Sequence, residues 1–287
     1  MKGPGNRELK KNAWYALQVI CNMLTMINKS DNASISPAIP EPLSVLGIQV
    51  VPFESYSQAV QCIDEVITSK RKAFWVAINP RKVYQATRDR QLRSILNRAD
   101  VGICDGIGVA LASKLLNGRF LSRCTGCDLF FHLVSNAARK GWGIFMLGAS
   151  PESNEKACLK LREMYPGLRI VGRRDGYFQD SSTVIEEINA SGADLLFVAM
   201  GSPKQEFWIS QYRDSIQASF CMGVGGTFDV ISGKAKRAPK VFRKTGTEFL
   251  FRLVMEPRRL KRQVTFVPYM LKVFKEMLFG PSEFPNA

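Results

Sequence analysis

Ala73-Phe74-Trp75-Val76-Ala77-Ile78-Asn79-Pro80 is an apolar run of strand length that ends in an asparagine and a proline. Asparagine caps a helix with its side-chain oxygen, and proline suits the first helical position because its missing N–H would find no partner there. The stretch reads as a strand that passes directly into a helix. Six further apolar runs read as strands: Ser44 to Val51, Val101 to Cys104, Gly143 to Leu147, Arg169 to Gly172, Leu195 to Ala199 and Phe220 to Val224. Helical patterns lie between them, Ser57 to Ile67 among them, and Pro151, Pro203 and Pro239 mark further helix starts. Strands alternating with amphipathic helices predict an α/β fold, a sheet with helices on its faces.

This pattern fills residues 43–245. Residues 1–42 read as an N-terminal arm and linker, with one apolar stretch, Trp14 to Ile27, followed by a Ser-, Asn- and Pro-rich segment. Gln18 and Asn22 interrupt that stretch, which falls short of the run of about 20 apolar residues that a spanning helix needs. It also lacks a small-residue cleavage site, so no secretory signal is read and a cytosolic protein is expected. Residues 246–287 read as a basic, helix-like appendage reaching Leu278, with Pro257 and Pro268 as breaks. A chain of 287 residues, 46% hydrophobic, can bury one sizeable core.

Several function classes drop out on residue counts. The seven cysteines are an odd number scattered through apolar segments, which favours reduced core thiols over a disulfide framework. Cys124 and Cys127 form a C-x-x-C without the second pair or the histidines that a zinc site requires. His132 is the sole histidine and sits in the apolar run Leu129 to Val134, where it reads as a packed residue, so Ser-His-Asp and histidine-rich metal chemistry lack support. The formal charge is +15, yet thirteen Lys and Arg between Lys234 and Lys275 face only Glu248 and Glu256, which places a surplus of eleven in 42 residues. Those basic residues are interleaved with Phe, Leu, Val and Met. An anionic membrane surface or a phosphate fits that pattern better than nucleic acid does.

In an open α/β sheet, ligands bind beyond the carboxyl ends of the strands, so the polar residues that follow each strand are the candidates. They are Asn79, Asp105-Gly106-Ile107-Gly108, Gly148, Gly201-Ser202-Pro203-Lys204-Gln205-Glu206 and Gly223-Val224-Gly225-Gly226-Thr227-Phe228-Asp229. Each also has a purely structural explanation. Asn79 is a good N-cap, Asp105 could cap the helix that follows it, and Ser202 with Gln205 spells the capping box S-x-x-Q. Three glycines within Gly223 to Gly226 lower that balance, because they sacrifice chain entropy unless something approaches the backbone. A diphosphate held by backbone N–H groups fits. The early G-x-G-x-x-G of a dinucleotide site is absent.

These blocks, together with Arg123 before Thr125-Gly126, Asp175-Gly176-Tyr177-Phe178 and Arg237-Ala238-Pro239, closely resemble the WecG/TagA/CpsF family, glycosyltransferase family 26, from about Val45 to Arg262. The resemblance implies an α/β, Rossmann-like sheet with helices on both faces (GT-E type), plus the basic helical C-terminal appendage. It implies inverting transfer of a sugar of the N-acetylmannosamine, N-acetylmannosaminuronic acid, glucose or glucuronic acid type from UDP to a sugar on polyprenyl diphosphate. By the same resemblance Asp105 is the candidate general base, and Arg123, Gln205 and Arg259 join it as the catalytic set. Asn79, Gly106, Gly201, Lys204, Gly225, Gly226, Thr227, Asp229, Arg237, Arg252 and Arg262 are the substrate-binding candidates, with Arg252, Arg259 and Arg262 on an appendage that closes over the site. Relatives often carry Thr two residues before the Asn, where this chain has Ala77.

Inversion needs a base and positive groups for the departing diphosphate. No D-x-D occurs, so that second task falls to arginines and the glycine-rich backbone, with no metal and no cofactor beyond the UDP-sugar substrate. The expected partners are the UDP-sugar, the lipid-diphosphate-linked acceptor and an anionic membrane, without nucleic acid; a homo-oligomer is left open. The expected location is cytoplasmic and peripheral, on the inner face of a bacterial cell membrane. The alternatives are another nucleotide-cofactor α/β enzyme and a non-enzymatic membrane-surface binding module.

Overall fold

A computed structural model describes residues 39–239, 242 and 265–281. The expectations for Trp14 to Ile27, Pro257, Arg252, Arg259 and Arg262 fall outside the described residues, as does any helix beginning at Pro239.

In chain order the elements are β1 (Leu43–Val45), β2 (Ile48–Val50), α1 (Tyr56–Thr68), β3 (Ala73–Ile78), α2 (Pro80–Ala86), α3 (Arg90–Arg98), β4 (Val101–Cys104), α4 (Ile107–Asn117) and α5 (Gly126–Lys140). There follow β5 (Gly143–Gly148), α6 (Pro151–Met164), β6 (Arg169–Arg174), α7 (Ser181–Ala190), β7 (Leu195–Ala199), α8 (Lys204–Tyr212), β8 (Phe220–Gly223), α9 (Thr227–Ser232) and α10 (Phe266–Phe279). Six strands form one parallel sheet in the order β4-β3-β8-β7-β5-β6. Every residue of β3 is buried, as a strand covered on both faces requires.

Period-two alternation divides the core between the two faces. Trp75 and Ala77 of β3 pack with residues of α1, α5, α6 and α9, whereas Phe74, Val76 and Ile78 pack with residues of α2, α3, α4, α7, α8 and α10. The aromatic centre of the first face is Phe130, edge-on to Phe197 at 4.6 Å between ring centroids. Cys62, Cys104, Cys124, Cys158 and Cys221 are buried free thiols, and Cys127 is partly exposed. His132 projects from α5 and stacks on Tyr56, with ring centroids 4.7 Å apart.

Two expectations are corrected. Ser44 to Val51 is not one strand: β1 and β2 pair antiparallel, with Leu46 (φ 51°) and Gly47 (φ 74°) forming the turn between them. The hairpin abuts the edge of the main sheet through Val51 N–H, which donates to Gly102 O at 2.8 Å. Pro268 is not a break either. It is the third residue of α10, in the first turn, where backbone N–H groups have no intrahelical acceptor and a proline loses nothing.

The described part of the basic appendage packs on the α/β layer. Tyr269 and Val273 are fully buried, and the Tyr269 hydroxyl donates to Gly108 O at 3.2 Å. Only glycine fits at position 108, because a Cβ there would stand 2.6 Å from Pro80 Cγ and 2.9 Å from Phe266 Cε2. The outer face of α10 exposes Val267, Leu271, Leu278 and Phe279, each by more than 60%. Among the described residues, no helix is long and apolar enough to cross a membrane.

Candidate functional site

A cavity of ≈310 Å³ opens at the carboxyl ends of β3, β4, β7 and β8, and its walls include Asn79, Lys82, Asp105, Gln205, Gly225, Gly226 and Thr227. The parallel sheet brings the strand-end blocks that line it together by placing β8 beside both β3 and β7. A second cleft of ≈260 Å³ borders Gly176, Tyr177, Lys204, Asp229 and Lys234. Neighbouring residues of α8 divide between the two, with Lys204 on the second and Gln205 on the first. Thr227 and Asp229 of α9 divide in the same way.

Asn79 does what its sequence context predicts. Its backbone is extended and its Oδ1 accepts the Lys82 N–H at 3.0 Å, starting α2 with Pro80 in the first position. Asp105 is held by a backbone bond to Ile78 O at 2.8 Å. Gly106 is the N-cap of α4, at φ 111°, and offers no side chain to cap it. Burial, reinforced by the nearby Asp105 charge and opposed by Arg123, pushes the Cys104 thiol up to about 12. Arg123 lies in the segment that returns across the end of β4, where Cys124 N–H donates to Cys104 O at 2.9 Å.

The capping-box expectation at Ser202 and Gln205 is overturned. Pro203 occupies the N-cap of α8 without a side-chain bond, and, among the described residues, Ser202 Oγ is buried with no hydrogen-bond partner. Gln205 instead turns toward the glycine-rich segment: its Oε1 accepts the Gly225 N–H at 3.0 Å, and its Nε2 donates to Glu206 Oε1 at 2.8 Å. That carboxylate also takes an ion pair from Lys82 Nζ at 2.7 Å, with the two side chains only 4% and 1% exposed. Lys82 completes its contacts by donating to Ala77 O at 2.8 Å. The Lys82–Glu206 pair was not foreseen: Lys82 was not a candidate, and Glu206 stood only as the last residue of the block Gly201 to Glu206. Its members are 124 positions apart, and the available signal was two charges each set a few residues beyond a buried strand.

The three glycines of the segment have different causes. A Cβ on Gly223 would collide with the Gln205 side chain, and Gly225 has φ +54°. Gly226 has an ordinary φ of −82° and open space where its Cβ would stand. Packing explains the first, backbone conformation the second, and neither explains the third, which faces the cavity.

Arg237, Gly106, Gly201 and Arg123 stand outside both linings. Arg237 ion-pairs with Asp128 near the start of α5 and lies over the Phe131 ring at 4.7 Å. Gly201, at φ +79°, turns β7 toward α8, and its carbonyl accepts the Gln205 N–H at 3.0 Å. Among the described residues, no three His, Cys, Asp or Glu side chains gather into a group that could hold a metal ion.

The glycosyl transferase WecG/TagA/CpsF family matches residues 43–283. A Bacillus subtilis protein named N-acetylglucosaminyldiphosphoundecaprenol N-acetyl-beta-D-mannosaminyltransferase is 37% identical over 210 residues, covering 73% of this chain and 82% of that protein. A protein of the same name from Bacillus spizizenii is 36% identical over 209 residues, covering 73% of this chain and 81% of the relative.

Proposed function

Since this chain belongs to the WecG/TagA/CpsF family of glycosyl transferases, we propose that it moves an N-acetylmannosamine-type sugar, with inversion, from UDP to a polyprenyl-diphosphate-linked sugar. The observation that carries the proposal is the cavity in which Asp105, Gln205 and the turn Gly225 to Thr227 share one wall system at the strand ends. The names of the two Bacillus relatives support the choice of sugar and of lipid-linked acceptor.

In this reading Asp105 accepts the proton of the acceptor hydroxyl as its oxygen attacks the anomeric carbon. The bond from that carbon to the diphosphate breaks in the same step and UDP leaves. A carboxylate that borders the cavity suits this task. The donor spans both clefts, its sugar in the first and its nucleotide end toward Lys204, Lys234 and Asp229. The N–H groups of the glycine-rich turn and the arginines Arg123, Arg252, Arg259 and Arg262 stabilise the departing diphosphate without a divalent ion. The exposed apolar face of α10 and the surplus of basic residues between 234 and 275 support peripheral docking on the cytoplasmic face of the membrane.

The test is a donor screen with a synthetic lipid-diphosphate-linked sugar as acceptor, measuring UDP release and the anomeric configuration of the product. Transfer from a UDP-linked N-acetylmannosamine with inversion is the expected result. Retention of configuration, or UDP release that does not depend on the acceptor, would overturn it.

A further inference from the structure

We propose that Lys82 and Glu206 are positioning residues that lock the Gln205 side chain in a single orientation against the glycine-rich turn. The proposal rests on the glycosyl-transfer reading above. A primary amide has two ends that differ only in hydrogen bonding, so its orientation is set by what surrounds it. The Glu206 carboxylate is an acceptor and selects the Gln205 N–H₂; the Gly225 N–H is a donor and selects the Gln205 oxygen. Exchanging the two ends would place donor against donor and acceptor against acceptor. The stem of the side chain is confined as well, because it packs where a Cβ of residue 223 would otherwise stand.

Lys82 stands as the counter-charge to Glu206. A carboxylate 1% exposed needs a counter-charge, and the ammonium at 2.7 Å supplies it. Stability alone does not account for the pair, since buried ion pairs are commonly replaceable by apolar side chains without loss. Among the described residues, Glu206 Oε2 is buried with no hydrogen-bond partner. What the arrangement achieves is a fixed acceptor at Oε1, shared by Lys82 Nζ and Gln205 Nε2, beside the cavity that Lys82 and Gln205 both line.

The experiment compares two neutral double variants that differ in that acceptor. Lys82→Met with Glu206→Leu removes both charges and the acceptor; Lys82→Met with Glu206→Gln removes both charges and keeps a side-chain oxygen facing Gln205. Misplacing an active-site group by about 1 Å lowers turnover on the order of 10²-fold. The Leu variant is expected to lose that much kcat with a smaller change in KM for the donor, and the Gln variant to recover to within about tenfold of wild type. Equal activity of the two folded variants overturns the proposal. A second measurement, on the wild-type protein, needs neither variant nor activity: hydrogen exchange of the Gln205 side-chain N–H₂ by NMR, assigned by its loss in Gln205→Met. Exchange much slower than that of the exposed Gln91 supports the lock, and exchange as fast as Gln91 overturns it. A wild-type protein that transfers no sugar counts against the transferase reading alone and leaves this second measurement to decide.

Discussion

Gly223→Ala and Gly226→Ala should fail in opposite ways, although the two glycines are three positions apart in one turn. A methyl on Gly223 would stand 2.7 Å from Gln205 Cδ and 2.9 Å from its Cγ, where carbon atoms need about 3.5 Å, so the Gln205 amide must retreat by about 1 Å. Its bonds to Glu206 Oε1 and Gly225 N are 2.8 and 3.0 Å long and do not survive such a shift. One bond to a charged group and one between neutral groups together contribute about 2–4 kcal/mol. For a chain of this size that lowers the melting temperature by roughly 4–16 °C. Gly226→Ala meets nothing within 4 Å and keeps an allowed φ, so stability should change by less than about 0.5 kcal/mol while the methyl occupies the cavity and turnover falls. Differential scanning fluorimetry and UDP release measure the two effects. A Gly223→Ala protein as stable as wild type would refute the clamp on Gln205. A fully active Gly226→Ala would refute backbone approach by the donor.

Asp105→Asn should fold as wild type and lose about 10² to 10⁴-fold in turnover, and a residual rate above roughly a tenth would remove Asp105 as the base. Turnover should persist after EDTA treatment, and strict dependence on added magnesium or manganese would show that arginines and backbone do not suffice for the leaving group. Changing Val267, Leu271 and Leu278 to Glu on the exposed face of α10 should abolish retention on anionic vesicles yet leave the melting temperature nearly unchanged, because none of the three is buried. Vesicle binding that survives the triple change would assign membrane contact to another part of the chain.

Most of the sheet was legible because five of its six strands, all but β6, are buried throughout and therefore read as unbroken apolar runs: β3, β4 and β7 begin and end where the pattern says. The hairpin of β1 and β2 was hidden by its turn. Leucine at φ 51° is a poor turn residue, and Val45-Leu46-Gly47-Ile48 lacks the Asn or Asp that usually announces a two-residue hairpin. The strand-end rule located Asn79, Asp105, Gln205 and Gly225 to Thr227 without knowledge of their contacts. It could not show that Gln205 bonds a backbone 20 residues away, so the local pattern S-x-x-Q was misassigned to capping. The pairing of Lys82 with Glu206 had no periodic or motif signal, although Glu206 itself closes the block Gly201 to Glu206, because their meeting depends on β8 separating β3 from β7 with α2 and α8 on the same face.

The position of β8 also determines when the protein can come into being. Among the described residues it is the last strand made, yet it occupies an interior place between β3 and β7. During synthesis the chain emerges with β3 and β4 on one side and β5, β6 and β7 on the other, each half carrying an open edge of unpaired N–H and C=O groups. Only when Phe220 to Gly223 leaves the ribosome can the halves be joined, by contacts nearly 150 residues apart in sequence. Nascent chains are therefore exposed to edge-to-edge association until that moment. A stop codon anywhere before residue 220 yields two half-sheets, and the cavity that needs both of them never forms.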